Sequence, residues 1–273
     1  MGILIGYAAT PLPPDTMLPW IQSFRRHCPN HRVILLADPP ENYAELAKYD
    51  MEIVPANLRT NPGDIDTEEK YRGVVSVYKD RWEEVQKLGL SQSEIVLLTD
   101  TRDVFFQRDP FEQIDPYALT VATEAVKLGH DLWNIERLKK YYPDNVKEVE
   151  NFPSICAGVL GGPYGLVKLF AKLVRTKIAN RTGMADQGAF NIVLRTSGLP
   201  WDFLPYSMGW CCHCAQTIAP WVPPDKHLFE EKPALMKNGE LWTKSGKPFA
   251  IVHHWPMVPQ LRHFGDVHGL QPT

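Results

Sequence analysis

The sequence predicts an α/β fold with a mixed, mostly parallel central sheet flanked by helices, and three observations lead there. Ile95 to Thr99 is an unbroken apolar run, the composition of a strand buried on both faces. Ile3 to Ala9 and Arg32 to Asp38 are two further strand-like runs, and between them Trp20, Ile21 and Phe24 open a helix, which makes a β-α-β start. A chain of 273 residues is long enough to bury a substantial core as one large domain.

The elements can be justified in order. The first strand runs into the Pro-rich loop Thr10 to Pro14, and the second ends on Asp38 before Pro39-Pro40. Asp66-Thr-Glu-Glu69 has the acids of a helix first turn. The helix it opens sets Tyr71, Val74, Val75, Tyr78, Trp82 and Val85 on one apolar face, with Arg72 and Lys79 on another. After the Ile95 strand come a strand over Tyr117 to Thr123 and a surface helix over Leu132 to Tyr142. The small residues of Ser154 to Gly162 let a backbone approach a ligand or another strand closely. Pro163 then opens a helix with Leu166, Phe170, Leu173 and Ile178 inward, and Met184 to Leu194 forms another, with Asp186 and Gln187 in its first turn. From about Ala215 the chain is rich in Pro, Trp, His and Gly, but Pro248 to Trp255 contains a last apolar strand ending on His253 and His254.

A net charge of -3, from 29 basic and 32 acidic side chains, gives no electrostatic surface for nucleic acid. No apolar run is long enough to cross a bilayer, and the N-terminal residues do not form a signal sequence, so a soluble, cytoplasmic protein without a transmembrane segment is expected. Five cysteines without regular spacing fit a reducing compartment. Cys211-Cys-His-Cys214 looks like a zinc motif, yet neighbours on one short segment cannot easily wrap a tetrahedral ion, and buried free thiols are expected instead. Asn180-Arg-Thr182 matches a glycosylation sequon, which is incidental in a chain of this kind.

Asp100 and Asp103, just past the end of the Ile95 strand, carry the chemistry. Ligands of open α/β sheets collect beyond the carboxyl ends of strands, and two acids placed there must either pair with cations or hold a metal. Arg102 and Arg108 are close enough in sequence to supply the plain ion-pair alternative.

Four separated features occur in one order: the acid pair, the Ala157-Gly158 strand, Asp186-Gln187 followed by Asn191, and Ile251-Val-His253. Together they resemble the GT-A glycosyltransferases, a Rossmann-like fold class, and most of all the glycogenin-like and lipopolysaccharide galactosyltransferase group. The resemblance runs from Ile3 to about Trp255. It implies one GT-A domain over 1–273, with a nucleotide-sugar half over about 1–125 and an acceptor half with a late metal ligand over about 126–273. It implies a hexosyl- or pentosyltransferase that moves a sugar from a nucleoside diphosphate sugar, a UDP-sugar in most of the family, to a glycan or other hydroxyl acceptor. Asp100, Asp103 and His253 would hold Mn²⁺, or Mg²⁺ in its place, with His254 the competing imidazole. This chain departs from the family by having two residues between the acids, Asp-Thr-Arg-Asp, where the family has one. Arg102 would then share in neutralising charge.

By the same resemblance, Asp186 would position sugar hydroxyls and Gln187 would sit against the anomeric carbon, although an acid there also simply suits a helix N-terminus. Arg72 or Lys79 would be the added cations beside the diphosphate, with a solvated helix face as the plain alternative. Tyr7, Ala8, Thr10 and Asp38 would surround the base and ribose, and Ala157 and Gly158 would line the donor site. Two rivals are a phosphohydrolase or nucleotidyltransferase working on nucleotide sugars, and a non-catalytic carbohydrate-binding protein on the same fold. The first would want acids one residue apart on its first strand, or a Gly-rich basic loop after it, and this chain has neither.

Overall fold

The computed structural model describes residues 1–10, 12–58, 75–179, 181, 185–223, 226–237 and 239–261, without the side chains of 75–76 and 234–237. In chain order the elements are β1 (Ile3–Ala9), α1 (Leu18–His27), β2 (Arg32–Asp38), β3 (Glu52–Pro55), α2 (Val75–Glu84), β4 (Ile95–Thr99), β5 (Val104–Phe106), β6 (Leu119–Lys127), α3 (Leu132–Tyr141) and α4 (Val146–Val149). They continue as β7 (Pro153–Pro163), α5 (Tyr164–Ile178), α6 (Asp186–Thr196), β8 (Trp201–Leu204), β9 (Cys211–His213), α7 (Cys214–Thr217), β10 (Ala234–Lys237), β11 (Glu240–Trp242) and β12 (Ile251–His253).

Seven strands form the central sheet in the order β3-β2-β1-β4-β7-β6-β8. The β1, β2, β3 and β4 pairings are parallel, as the β-α-β start predicts, and β6 pairs β8 in parallel too. Only β7 runs against its neighbours β4 and β6, which makes the sheet mixed and mostly parallel. Both faces are covered, so β1 and the middle of β2 are buried throughout and read as continuous apolar runs. Trp82, Phe170 and Phe190, from α2, α5 and α6, pack edge-on or tilted against one another over one face. On the other face α1 sends Trp20, Ile21 and Phe24 into a second core with Leu4, Leu35 and Phe106.

Where the elements depart from expectation, the tertiary packing explains it. Pro163 closes β7 and stands as the N-cap of α5 instead of its first helical residue. Phe170 and Ile178 face the core as expected, but the rest of the buried stripe is Tyr164, Val167, Ala171 and Val174, and Leu166 and Leu173 only flank it. The apolar run that resumes after Asp103 does not extend the central sheet. It is β5, which joins a separate three-stranded sheet of order β5-β12-β9. The division expected near residue 125 falls inside β6. The helix start at Asp66–Glu69, the apolar positions Tyr71 and Val74, Met184, and the sequon at Asn180 and Thr182 lie outside the described residues.

Candidate metal and donor site

Strand register builds the site. Asp100 follows β4 and donates its backbone N–H to the Gly158 carbonyl at 2.9 Å, so the acid stands directly over β7. Three residues on, Asp103 leads into β5, which pairs antiparallel with β12 so that His253 lies opposite Val104. That register sets the His253 ring between the acids, with Nε2 3.4 Å from Asp100 Oδ2 and 3.5 Å from Asp103 Oδ1. The extra residue of Asp-Thr-Arg-Asp is absorbed in a bend. Thr101 turns inward and donates to the Tyr7 carbonyl at 2.9 Å, while Arg102 turns out to solvent. Both acids therefore reach one imidazole despite the wider spacing. Of the competing histidines, His253 is the one brought between them; His254 takes a left-handed conformation with φ 60° and stacks on its ring at 3.6 Å.

Gly158 makes this approach possible. A Cβ there would lie 2.5 Å from His253 Cε1 and 2.8 Å from Asp100 Oδ2, closer than real Cβ contacts come.

Among the described residues the cation bonded to Asp100 is Arg81, which the sequence reading did not single out. It is buried on α2 and contacts Asp100 Oδ1 at 2.9 Å, Asp186 Oδ2 at 3.0 Å and the Ala157 carbonyl at 3.1 Å. It also bonds the Tyr7 hydroxyl, which in turn donates to Asp100. Tyr7, Tyr78 and Trp82 surround the guanidinium at 4.9, 5.4 and 4.7 Å from its carbon. The spacing of Tyr78, Arg81, Trp82 and Val85 is that of one helix face, so an arginine among core residues was the readable signal. Of the two expected cations, Arg72 lies outside the described residues, and Lys79 is half-buried without an ion pair to Asp100, Asp103 or Asp186 among the described contacts.

The positions expected around a nucleotide divide. Tyr7 joins the acid cluster, whereas Ala8, on the opposite face of β1, packs into the core beneath α1. Thr10 and Asp38 stay together at the strand ends: the Thr10 N–H donates to the Asp38 carbonyl at 3.1 Å, and an Asp38 carboxylate oxygen accepts from the Leu58 N–H at 2.8 Å.

Asp186 and Gln187 open α6 as expected and face two different networks. Asp186 is held by Arg81. Gln187 donates through Nε2 to Glu124 at 3.1 Å and to Asn134 at 2.9 Å. Glu124, also unforeseen, is a buried acid in the middle of β6 that accepts from Ser154 and Asn134 as well. It is turned there by a kink at Ala125, whose φ of 59° is unusual for a residue with a Cβ and is held by the Thr123 hydroxyl. An acid inside an apolar strand, in Ala122-Thr-Glu-Ala-Val126, was its sequence signal.

Burial raises Asp186 despite Arg81, and raises Glu124 despite its donors. Burial also pushes Asp100 up to about 6 against the opposing pull of His253. For Asp103 burial acts upward too, but His253, His254 and Arg102 together outweigh it and hold the acid below the usual carboxylate range. Burial alone would lower His253; Cys156 and the two acids overcome it and raise the ring well above its ordinary value. The two acids thus demand positive charge at His253 Nε2.

That demand fits a divalent ion. Ligand atoms of Asp100, Asp103 and His253 lie within 4.8 Å of one another. Neighbouring ligands of an octahedral ion with bonds of roughly 2.1 Å stand ~3 Å apart, close to the spacing found. Among the described residues Nε2 is buried with the two carboxylates at ion-pair distance but no hydrogen bond within range, and an ion between the three groups would satisfy it. Asp100 keeps 18% of its side chain open to solvent, whereas His253 keeps none, so an added ligand would arrive on the Asp100 side. Cys156, His253 and His254 form a second possible group, but stacked rings do not aim their in-plane lone pairs at one point. Cys211, Cys212 and Cys214 belong to neither group; all five cysteines are buried and free.

Fold and site together define the class of molecule, an α/β fold with an acid–histidine cluster at the carboxyl end of its central strands. Solved structures make the comparison specific. The chain is similar to the galactosyltransferase LgtC solved in complex with donor and acceptor sugar analogs, at 14% identity and a TM-score of 0.62, covering 99% of this chain and 96% of that one. It matches an active-site mutant of LgtC with the same figures. The fold is the GT-A fold. No family model and no curated protein matches the sequence. Among the described residues no helix is long and apolar enough to cross a membrane.

Proposed function

We propose that this protein is a metal-dependent glycosyltransferase that moves a sugar from a nucleoside diphosphate sugar, preferably a UDP-sugar, to a hydroxyl of a glycan acceptor. The observation that carries the reading is His253 Nε2, buried between two carboxylates on a GT-A fold and without a hydrogen bond among the described residues. Asp100, Asp103 and His253 would hold Mn²⁺, a donor set of carboxylate and imidazole that suits it better than Mg²⁺. Bound there, the ion supplies Lewis-acid stabilisation of the charge that grows on the departing diphosphate.

The chain's own residues supply the rest. Arg81 is a fixed cation whose position is set in advance by two acids, a carbonyl and three aromatic rings, so it needs no reorganisation as charge develops. Asp186, tied to Arg81, would receive donor-sugar hydroxyls. Gln187, anchored through its amide nitrogen to Glu124 and Asn134, would present its amide oxygen towards the anomeric carbon. Thr10 and Asp38 would flank the base and ribose. Five buried free thiols suit a reducing compartment such as the cytoplasm.

A thermal-shift panel of nucleotide sugars with and without Mn²⁺ tests the reading. A donor at about a hundred times its Kd adds about 2.7 kcal/mol, a rise of roughly 5 °C or more for a chain of this size. The expected result is a rise for a UDP-sugar in Mn²⁺ only. Binding of free glycans alone would favour a carbohydrate-binding protein.

A further inference from the structure

The Cys-rich segment hides a histidine that the proposed chemistry has not yet used. β9 pairs in parallel with β12 so that His213 lies opposite His253. Both rings are fully buried, and their Nδ1 atoms are 2.9 Å apart. Two nitrogens at that distance share one proton: one ring donates and the other accepts. The direction follows from the metal reading. His253 Nε2 is the atom aimed between Asp100 and Asp103, so to meet an ion it must offer its lone pair, and the proton of the neutral ring is then on Nδ1. His253 Nδ1 therefore donates and His213 Nδ1 accepts. A neutral His213 with Nδ1 unprotonated carries its own proton on Nε2, which lies 3.8 Å from the Cys211 sulfur.

Resting on the metal reading above, we propose that His213 is a positioning residue that fixes the tautomer and orientation of His253, so that Nε2 is the atom presented to the divalent ion. Among the described contacts of the same Nδ1 the other is the Cys156 thiol at 3.7 Å, and a thiol is a poor acceptor beside an imidazole nitrogen. Partners behind a metal-bound histidine commonly contribute 10–100-fold to metal affinity.

Two measurements test the proposal. In wild-type protein labelled with ¹⁵N-histidine, His213 should show an unprotonated Nδ1 and a protonated Nε2, with Mg²⁺ or without it; a protonated His213 Nδ1 would overturn the assignment. In a Mn²⁺ titration followed by electron paramagnetic resonance, His213→Leu should bind about 10–100-fold more weakly than wild type. His213→Asn, whose amide oxygen can accept the same proton, should recover affinity to within a few-fold, with both variants checked for folding by their melting in chelator. A folded His213→Leu with wild-type affinity, or a folded His213→Asn as weak as the leucine variant, contradicts the proposal. If His213→Leu does not fold, the ¹⁵N spectrum decides. Wild type that takes up no Mn²⁺ sinks the metal reading itself, an outcome separate from either failure of His213.

Discussion

Two stretches of this chain look like metal motifs, Asp100-Thr-Arg-Asp103 and Cys211-Cys-His-Cys214, and the fold treats them oppositely. The first lies between two strands of different sheets, so its acids leave the backbone at a bend and converge on His253 from a third strand. The second lies along β9, where alternation sends Cys211 into the core with Trp210 and Ile251, and Cys212 into another core with Phe249 and Val252. Ligands converge when they come from separate elements. Neighbours along one strand are parted by its pleat. Yet the cysteine segment still reaches the site through His213, which shares its side of the strand with Cys211 and whose ring meets that of His253.

The comparison can be broken first at Arg81, which ties the acid region together. Arg81→Met leaves Asp100 and Asp186 facing one another without their shared cation, and removing one partner of a buried pair costs about 3–5 kcal/mol. Urea unfolding should show that loss; a change under ~1 kcal/mol would mean the acids are solvated well enough without it.

Next in size is the sugar side. Asp186→Asn and Gln187→Ala should each lower transfer about 100-fold, the scale of one lost preorganised polar group, while UDP affinity stays within a few-fold of wild type. Parallel loss of UDP binding would assign the pair to the nucleotide site or to the fold.

A smaller effect is expected at Gly158. Alanine there would push against His253 and Asp100, at about 1–3 kcal/mol of overpacking, and Mn²⁺ affinity should fall together with stability. If Gly158→Ala binds Mn²⁺ as wild type does, the strands are looser than their register implies.

The smallest effect belongs to the cysteine region. Cys212→Ala should cost roughly 1 kcal/mol of packing, without altering Mn²⁺ uptake. Any change in metal content on that substitution would give the thiols a role that their separation into two cores argues against.

How much of this was readable from sequence follows the same division. The parallel sheet, α1, α3 and α6 were legible because apolar runs and helical spacing are local signals. Asp100, Asp103 and His253 were singled out by their order along the chain, and the fold brings the three side chains together. Arg81 was legible in principle, since it shares a helix face with Tyr78, Trp82 and Val85, whereas Arg72 and Lys79 fall on another face by their spacing. Glu124 was legible in principle too, as an acid inside an apolar strand, but was not foreseen. His213 was not legible, because only the long-range pairing of β9 with β12 sets it opposite His253. Nor was the turn of Thr101 inward and Arg102 outward, which lets the wider acid spacing work.

The central claim is that the acid region holds a divalent ion on which nucleotide binding depends. Calorimetry of UDP with wild type, Asp100→Ala and Asp103→Ala, each in Mn²⁺ and in chelator, tests it directly. The expected result is UDP binding by wild type that requires Mn²⁺, with the metal-dependent part lost in both variants. UDP binding of equal affinity in chelator, by wild type and variants alike, would contradict the claim.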